Sequence, residues 1–277
     1  MMKQISQSKK IGKRFCRNKL AVLGLVVLIF FVVVSVCAPF LTDYDPNRSD
    51  LRKRNQPPSE AHLFGTDDMG RDIFARTLYG GRISLSVGLV SVGIALSIGV
   101  VLGAIAGFFG GMVDTVIMRI ADVFYSFPFM ILAITISSIF GPSIYNTMVI
   151  LGVLSWPSSA RLLRAEFLKL KNTDFSLAAT TIGAGPARVM FRHILPNAIS
   201  PLLVSATLGV ASAILSEAGL SFLGLGVPPP APSWGNMLNR ARPLHILATM
   251  PWMWLPPGIA IFVIVLSINF VGDGLRD

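Results

Sequence analysis

The run 83–113 reads ISLSVGLVSVGIALSIGVVLGAIAGFFGGMV and carries no charged residue. A helix needs about 20 apolar residues to cross the core of a bilayer, and this stretch supplies that length. It is not alone. The run 20–41 is also free of charge, and 123–160 is too long for one span and broken at Gly141-Pro142, a turn signal. Read outward from 83–113, the uncharged stretches place six spans at roughly 20–40, 83–108, 119–139, 144–165, 198–223 and 249–272. The expected fold class is therefore all-α: a polytopic membrane protein with six transmembrane helices.

The bulk composition agrees. Of 277 residues, 53% are hydrophobic and only 14% charged, against roughly 25% charged in an average soluble domain. This excludes an ordinary soluble enzyme, a disordered chain and a disulfide scaffold. Cys16 and Cys37 stand at opposite ends of the first span and cannot pair within the chain. The net charge is +10. Lys3, Lys9, Lys10, Lys13, Arg14, Arg17 and Lys19 precede the first span with no acid among them. In a soluble chain that run would point to nucleic acid. Beside a span it holds the N-terminus in the cytoplasm, so the surround is membrane lipid and no nucleic-acid partner is expected. Six spans return the C-terminus to the cytoplasm as well.

The chain then divides into a basic cytoplasmic tail at 1–19, a first transmembrane helix at 20–40, an extracytoplasmic segment at 41–82 and a five-helix core at 83–277. The 41–82 segment is turn-rich, with Asp45-Pro46-Asn47 and Pro57-Pro58. In it Arg71, Arg76 and Arg82 sit among Asp67, Asp68 and Asp72, which predicts local ion pairing. Within the second span Gly99, Gly103 and Gly107 share one stripe, which chiefly serves close helix packing.

The loop 166–197 is too long and too amphipathic to be a connector. Asn172-Thr173-Asp174 offers N-cap residues, Gly183 suits a C-terminal cap, and Pro186 suits the first turn of a second helix that Pro196 would end. A helix-turn-helix results, with Ala178 and Ala179 keeping one surface slim. Docking in a partner's groove and lying on the membrane surface both fit this pattern. Glu217 is the acid deepest in a span, which makes it a functional candidate by default; lining a pathway and pairing with a neighbour both fit it. His62, His193 and His245 are scattered, and no phosphate-binding loop ending in Lys-Ser or Lys-Thr is present. Neither a catalytic residue nor a metal site is expected.

The segment Leu177-Ala178-Ala179-Thr180-Thr181-Ile182-Gly183, followed by Leu195-Pro196, resembles the EAA loop of ABC importer permeases. Leu177 stands where that pattern has Glu, and His193 where it has Ile. Three further stretches are similar to the C-type subunit of dipeptide, oligopeptide and nickel permeases: His62-Leu63-Phe64-Gly65-Thr66-Asp67-Asp68-Met69-Gly70-Arg71-Asp72, Ser221-Phe222-Leu223-Gly224-Leu225-Gly226-Val227 with the following Pro232-Ser233-Trp234-Gly235-Asn236-Met237, and Phe270 to Asp277. The resemblance implies the type I ABC importer permease fold in a bacterial or archaeal inner membrane. It implies a second, B-type permease subunit, two ATPase subunits that carry ATP and Mg, and an extracytoplasmic substrate-binding protein, with no cofactor on this chain. Leu177, Ala178, Ala179, Gly183, His193, Leu195 and Pro196 would then form the ATPase-coupling loop, with Ala178, Ala179 and Gly183 as contact and turn positions. The cargo implied is a di- or oligopeptide, with nickel or another small solute as the alternative. An ion-coupled carrier is disfavoured, because no internal repeat or paired intramembrane charge is evident.

Overall fold

A computed structural model describes residues 15–276, so the basic residues before Phe15 and the final Asp277 lie outside it. Among the described residues the chain is helical, with one isolated bridge between Thr66 and Asp72. Helix α1 (Lys19–Val36) starts where the Asn18 side chain accepts from the amides of Leu20 and Ala21, satisfying donors that have no partner inside the helix. Helix α2 (Ile73–Phe109) has 37 residues and is capped by Asp72, whose Oδ1 accepts from the Ala75 amide at 2.7 Å. At about 1.5 Å per residue it is about 55 Å long, well beyond a bilayer core of about 30 Å. It begins ten residues before the expected span because its first turns belong to a folded cap.

That cap unites 42–72 with the 223–254 segment. Arg71 pairs with one oxygen of the Asp67 carboxylate, Oδ2, donating from Nε at 2.8 Å with a terminal nitrogen 2.6 Å from the same oxygen. Arg240 reaches Asp68 at 3.1 Å, and the buried Arg76 donates to the Pro46 carbonyl at 2.7 Å. Arg82 departs from the expected pairing with acids. It donates instead to the carbonyls of Ser35 at 2.6 Å and Val36 at 2.5 Å, a cation on the C-terminal end of α1, where the helix dipole favours it. Helix α8 (Trp234–Arg240) closes the cap with a Ser233/Asn236 capping box, and Trp234 Nε1 donates to the Thr77 carbonyl at 3.0 Å.

The expected third span is not one helix. Helices α3 (Gly111–Tyr125) and α4 (Phe129–Phe140) meet at 83°. Pro128 disfavours helical geometry at Phe127 and removes a backbone donor. Helix α5 (Ile144–Leu170) carries a buried Pro157. The second limb of the expected hairpin is likewise no separate helix. Helix α7 runs from Pro186 to Phe222 without ending at Pro196, because a π segment, Val189–Ile194, precedes the proline. The wider hydrogen-bonding turn absorbs the missing amide that would otherwise break the helix. Helices α9 (Leu244–Thr249) and α10 (Leu255–Arg276) complete the chain.

Among the described residues four helices, α1, α2, α7 and α10, are long and apolar enough to cross a membrane, and the bent pair α3–α4 brings the number to five if it counts as one span. Helix α5 has the length but not the composition, because Arg161, Arg164, Glu166 and Lys169 crowd its second half. It is held hard against α2 all the same. A Cβ on Gly103 would stand 2.5 Å from the Ala160 carbonyl oxygen, and one on Gly107 2.5 Å from Phe167 Cβ. The glycine stripe is thus a packing seam between α2 and α5.

Candidate functional site

Helix α6 (Asp174–Thr181) and the turn through Gly183, whose φ of +83° suits glycine, project from the end opposite the cap. The two alanines do not share a surface. Ala179 is 4% exposed and packs with Leu163, Phe167, Val189, Met190 and Ile194, whereas Ala178 is exposed. Neighbouring residues on a helix point about 100° apart, so only one of the pair can face inward. Ala179 is therefore turned inward and packs the hairpin on its own cluster, while Ala178 is turned outward. The outward ridge is Phe175, Leu177, Ala178 and Ile182, the last 84% exposed. Leu177, in place of a carboxylate, extends the apolar character of that ridge.

The other loop residues take distinct places. His193 is half-buried and Ile194 fully buried, so the inward slot falls to Ile194, one residue later. The π segment over Val189–Ile194 is the local reason, since such a turn holds one extra residue. Leu195 is half-buried against the same cluster, and Pro196 is exposed. At the base of the hairpin Lys171 Nζ donates to the Phe108 carbonyl at 2.6 Å, tying the loop to the last turn of α2.

The cluster around Ala179 also contains Ala104 from α2, Leu163 and Phe167 from α5, and Ala198 and Leu202 from α7. Interiors this closely packed move as units. Helices α5 and α7 are, in turn, two walls of a cavity of about 420 Å³. Ser155, Ser158 and Ser159 face it from α5; Ser205, Ser212 and Ser216 from α7. Tyr125 and Phe129 enter it from the two sides of the α3–α4 bend. None of its lining side chains is charged. Beside it Arg161 stacks over the Tyr125 ring at 4.3 Å and pairs with Asp122 at 2.5 Å. One turn on, Arg164 grips Asp114 through two bonds of 2.5 and 2.6 Å. The serines of this cavity escaped sequence reasoning, because serine in a span is usually unremarkable and only the meeting of α5 with α7 reveals a shared wall. The spacing of Ser205, Ser212 and Ser216 was the available signal.

Glu217 lies elsewhere. It is fully buried and is not among the residues lining the cavity. Oε2 accepts from Ser84 Oγ at 2.9 Å and Oε1 from Ser221 Oγ at 2.7 Å. These serines in turn accept from the Trp234 amide at 3.3 Å and the Val227 amide at 3.0 Å. The carboxylate thus ties α2 and α7 to the cap.

Residues 99–277 match the family described as binding-protein-dependent transport system inner membrane component, and residues 6–58 match the N-terminal TM domain of oligopeptide transport permease C. A Brucella suis relative is 49% identical over 96% of this chain and 88% of its own length. The dipeptide transport system permease protein DppC of Alkalihalophilus pseudofirmus is 42% identical, covering 99% of this chain and 89% of that protein. The oligopeptide transport system permease protein OppC of Bacillus subtilis is 40% identical, covering 99% and 90%. Among solved structures, inward-facing MetNI methionine ABC transporter aligns with a TM-score of 0.61 at 21% identity, over 74% of this chain and 96% of that one. That last likeness is one of fold.

Proposed function

Because the chain belongs to the family of binding-protein-dependent transport system inner membrane components, we propose that it is the C-type permease subunit of an ATP-driven importer of di- and oligopeptides. The peptide cargo follows the names of the DppC and OppC relatives. The proposed assembly pairs it with a B-type permease. Two ATPase subunits on the cytoplasmic side hold ATP and Mg, and a substrate-binding protein meets the cap on the other face. The hairpin and both termini are cytoplasmic in this arrangement. The bent pair α3–α4 and helix α5 serve as the third and fourth of six spans.

One observation carries the reading: a single packed cluster joins the exposed hairpin to the two helices that wall the cavity. The ridge of Phe175, Leu177, Ala178 and Ile182 docks in an ATPase cleft. When the ATPases close, the push enters through α6, and Ala179 transmits it to Leu163 and Phe167 on α5 and to Ala198 and Leu202 on α7. Packed elements with two discrete arrangements convert such a push into a switch. The cavity, as this subunit's half of the pathway, opens toward the cap and then toward the hairpin after hydrolysis. Glu217 holds the cap on the spans and stays out of the pathway.

The test is purification of the tagged chain from native membranes in mild detergent, with the partners identified by mass spectrometry. The expected result is a related permease and ATPase subunits, with peptide uptake in liposomes that needs ATP and the binding protein. A chain that purifies alone and moves solute without ATP contradicts the proposal.

A further inference from the structure

Several serine hydroxyls on the spans are occupied by the helix that carries them. Ser86, Ser97, Ser138 and Ser267 donate to carbonyls three or four residues back, as a hydroxyl among apolar neighbours ordinarily does. Around the cavity the pattern splits. Ser155 and Ser158 bond to their own helix, and Ser91 reaches the Met148 carbonyl at 3.1 Å. Ser159, Ser205, Ser212 and Ser216 do neither. Among the described residues these four hydroxyls have no protein partner, and all four line the cavity. Ser159 is only 6% exposed, so the cavity is what remains for its hydroxyl to meet. Ser205, Ser212 and Ser216 share one face of α7, a stripe about 16 Å long, with Gly209 between them leaving the wall flat.

We propose that these four hydroxyls are the solute-contacting groups of the wall, and that they engage the uncharged main-chain amides of a peptide. The inference rests on the reading of the cavity as the translocation pathway. A hydroxyl donates, accepts and rotates to suit, so one stripe serves amide N–H and C=O groups in any register as a chain slides past. A fixed charge would hold some side chains and repel others. A divalent metal would want carboxylate, imidazole or thiolate ligands, and none lines this cavity. Side-chain charge therefore passes unread through this subunit, and selection by charge resides in the other chains of the assembly.

The reconstituted complex with its binding protein tests this with two tripeptides, one containing Lys and one containing Glu, plus the variants Ser205→Ala/Ser212→Ala/Ser216→Ala and the same three positions changed to Thr. The alanine variant is expected to lose uptake of both peptides about fivefold or more at unchanged assembly and ATPase activity, and the threonine variant to recover most of it. In a separate arm Ser212→Asp is expected to raise the Lys-to-Glu uptake ratio about tenfold over the wild-type ratio, which cancels the preference of the binding protein. Full uptake by the alanine variant, or an unchanged ratio in Ser212→Asp, overturns the inference. Should the triple variant fail to assemble, the single Ser212→Asp variant decides alone. A wild-type complex that imports neither peptide removes the proposed function itself, an outcome distinct from either of these.

Discussion

At the scale of single residues, Ala179 and Leu177 separate two ways of losing the hairpin. Ala179→Glu places a carboxylate in a packed cluster and costs about 3 kcal/mol or more. It should release α6 from α5 and α7, seen as new protease cleavage near 174–185. Leu177→Asp or Ile182→Asp changes an exposed side chain, leaves the fold within about 0.5 kcal/mol of wild type, and should still weaken ATPase association and uptake at least tenfold. Normal transport by both Asp variants would show that the ridge is not the docking surface. Glu217 gives a second contrast. Glu217→Ala leaves Ser84 and Ser221 with unmet hydroxyls and a cavity, costing about 3 kcal/mol. Glu217→Gln keeps the volume and some of the bonds and should cost about 1 kcal/mol with transport intact. Thermal unfolding in detergent measures both. A Gln variant that is stable, assembled and dead in transport would place the carboxyl in the pathway after all.

At the scale of elements, the α2–α5 seam has no room for a side chain at Gly103 or Gly107, where even the Cβ of alanine would stand 2.5 Å from a neighbour. Gly103→Leu drives a side chain into the Ala160 backbone, and a shift of that kind costs about 1–3 kcal/mol. The expected signature is loss of assembled complex. Full stability would mean that the two helices sit farther apart than they do here. The Asp114–Arg164 fork joins α3 to α5, so Asp114→Arg and Arg164→Asp should each destabilise. The double exchange should recover about 1 kcal/mol or more of the loss in a double-mutant cycle. What the sequence revealed about these elements follows one rule. Runs without charge showed where apolar helices lie, since burial in lipid acts on each residue independently. Departures arose wherever a second element intervenes. Ile73 to Arg82 reads as loop because of its charges, yet it is helical because the cap supplies a partner for Arg76 and the end of α1 supplies partners for Arg82. Ser126–Pro128 breaks a stretch that hydropathy alone shows as continuous. Pro196 reads as a terminator, but the π segment before it has already made room. Ala178 and Ala179 are indistinguishable until α5 and α7 arrive to bury one of them.

At the scale of the whole molecule, the two ends are built differently. The cap is held by directional polar bonds, His62 to Asp72 at 2.9 Å among them, and by Glu217 beneath it. The hairpin itself rests on apolar packing, with Lys171 at its base and the Asp114–Arg164 fork on the helices behind it, and its ridge is bare. In the proposed mechanism such a chain resists deformation at the cap and passes motion along α5 and α7 from the hairpin. The motif resemblance pointed to the hairpin as the proposed docking element. It could not disclose that the helices behind it also wall the serine-lined cavity, because that link exists only once distant segments pack.

The most direct measurement is site-specific photo-crosslinking in intact membranes, with the crosslinker placed in turn at Ile182, Ala178 and Ala179 of the otherwise unaltered chain. Covalent capture of an ATPase subunit from 182 and 178, with little from 179, is the predicted result. Equal capture from all three positions, or capture only of lipid and of this chain itself, would contradict the proposal that the hairpin couples the permease to its ATPase.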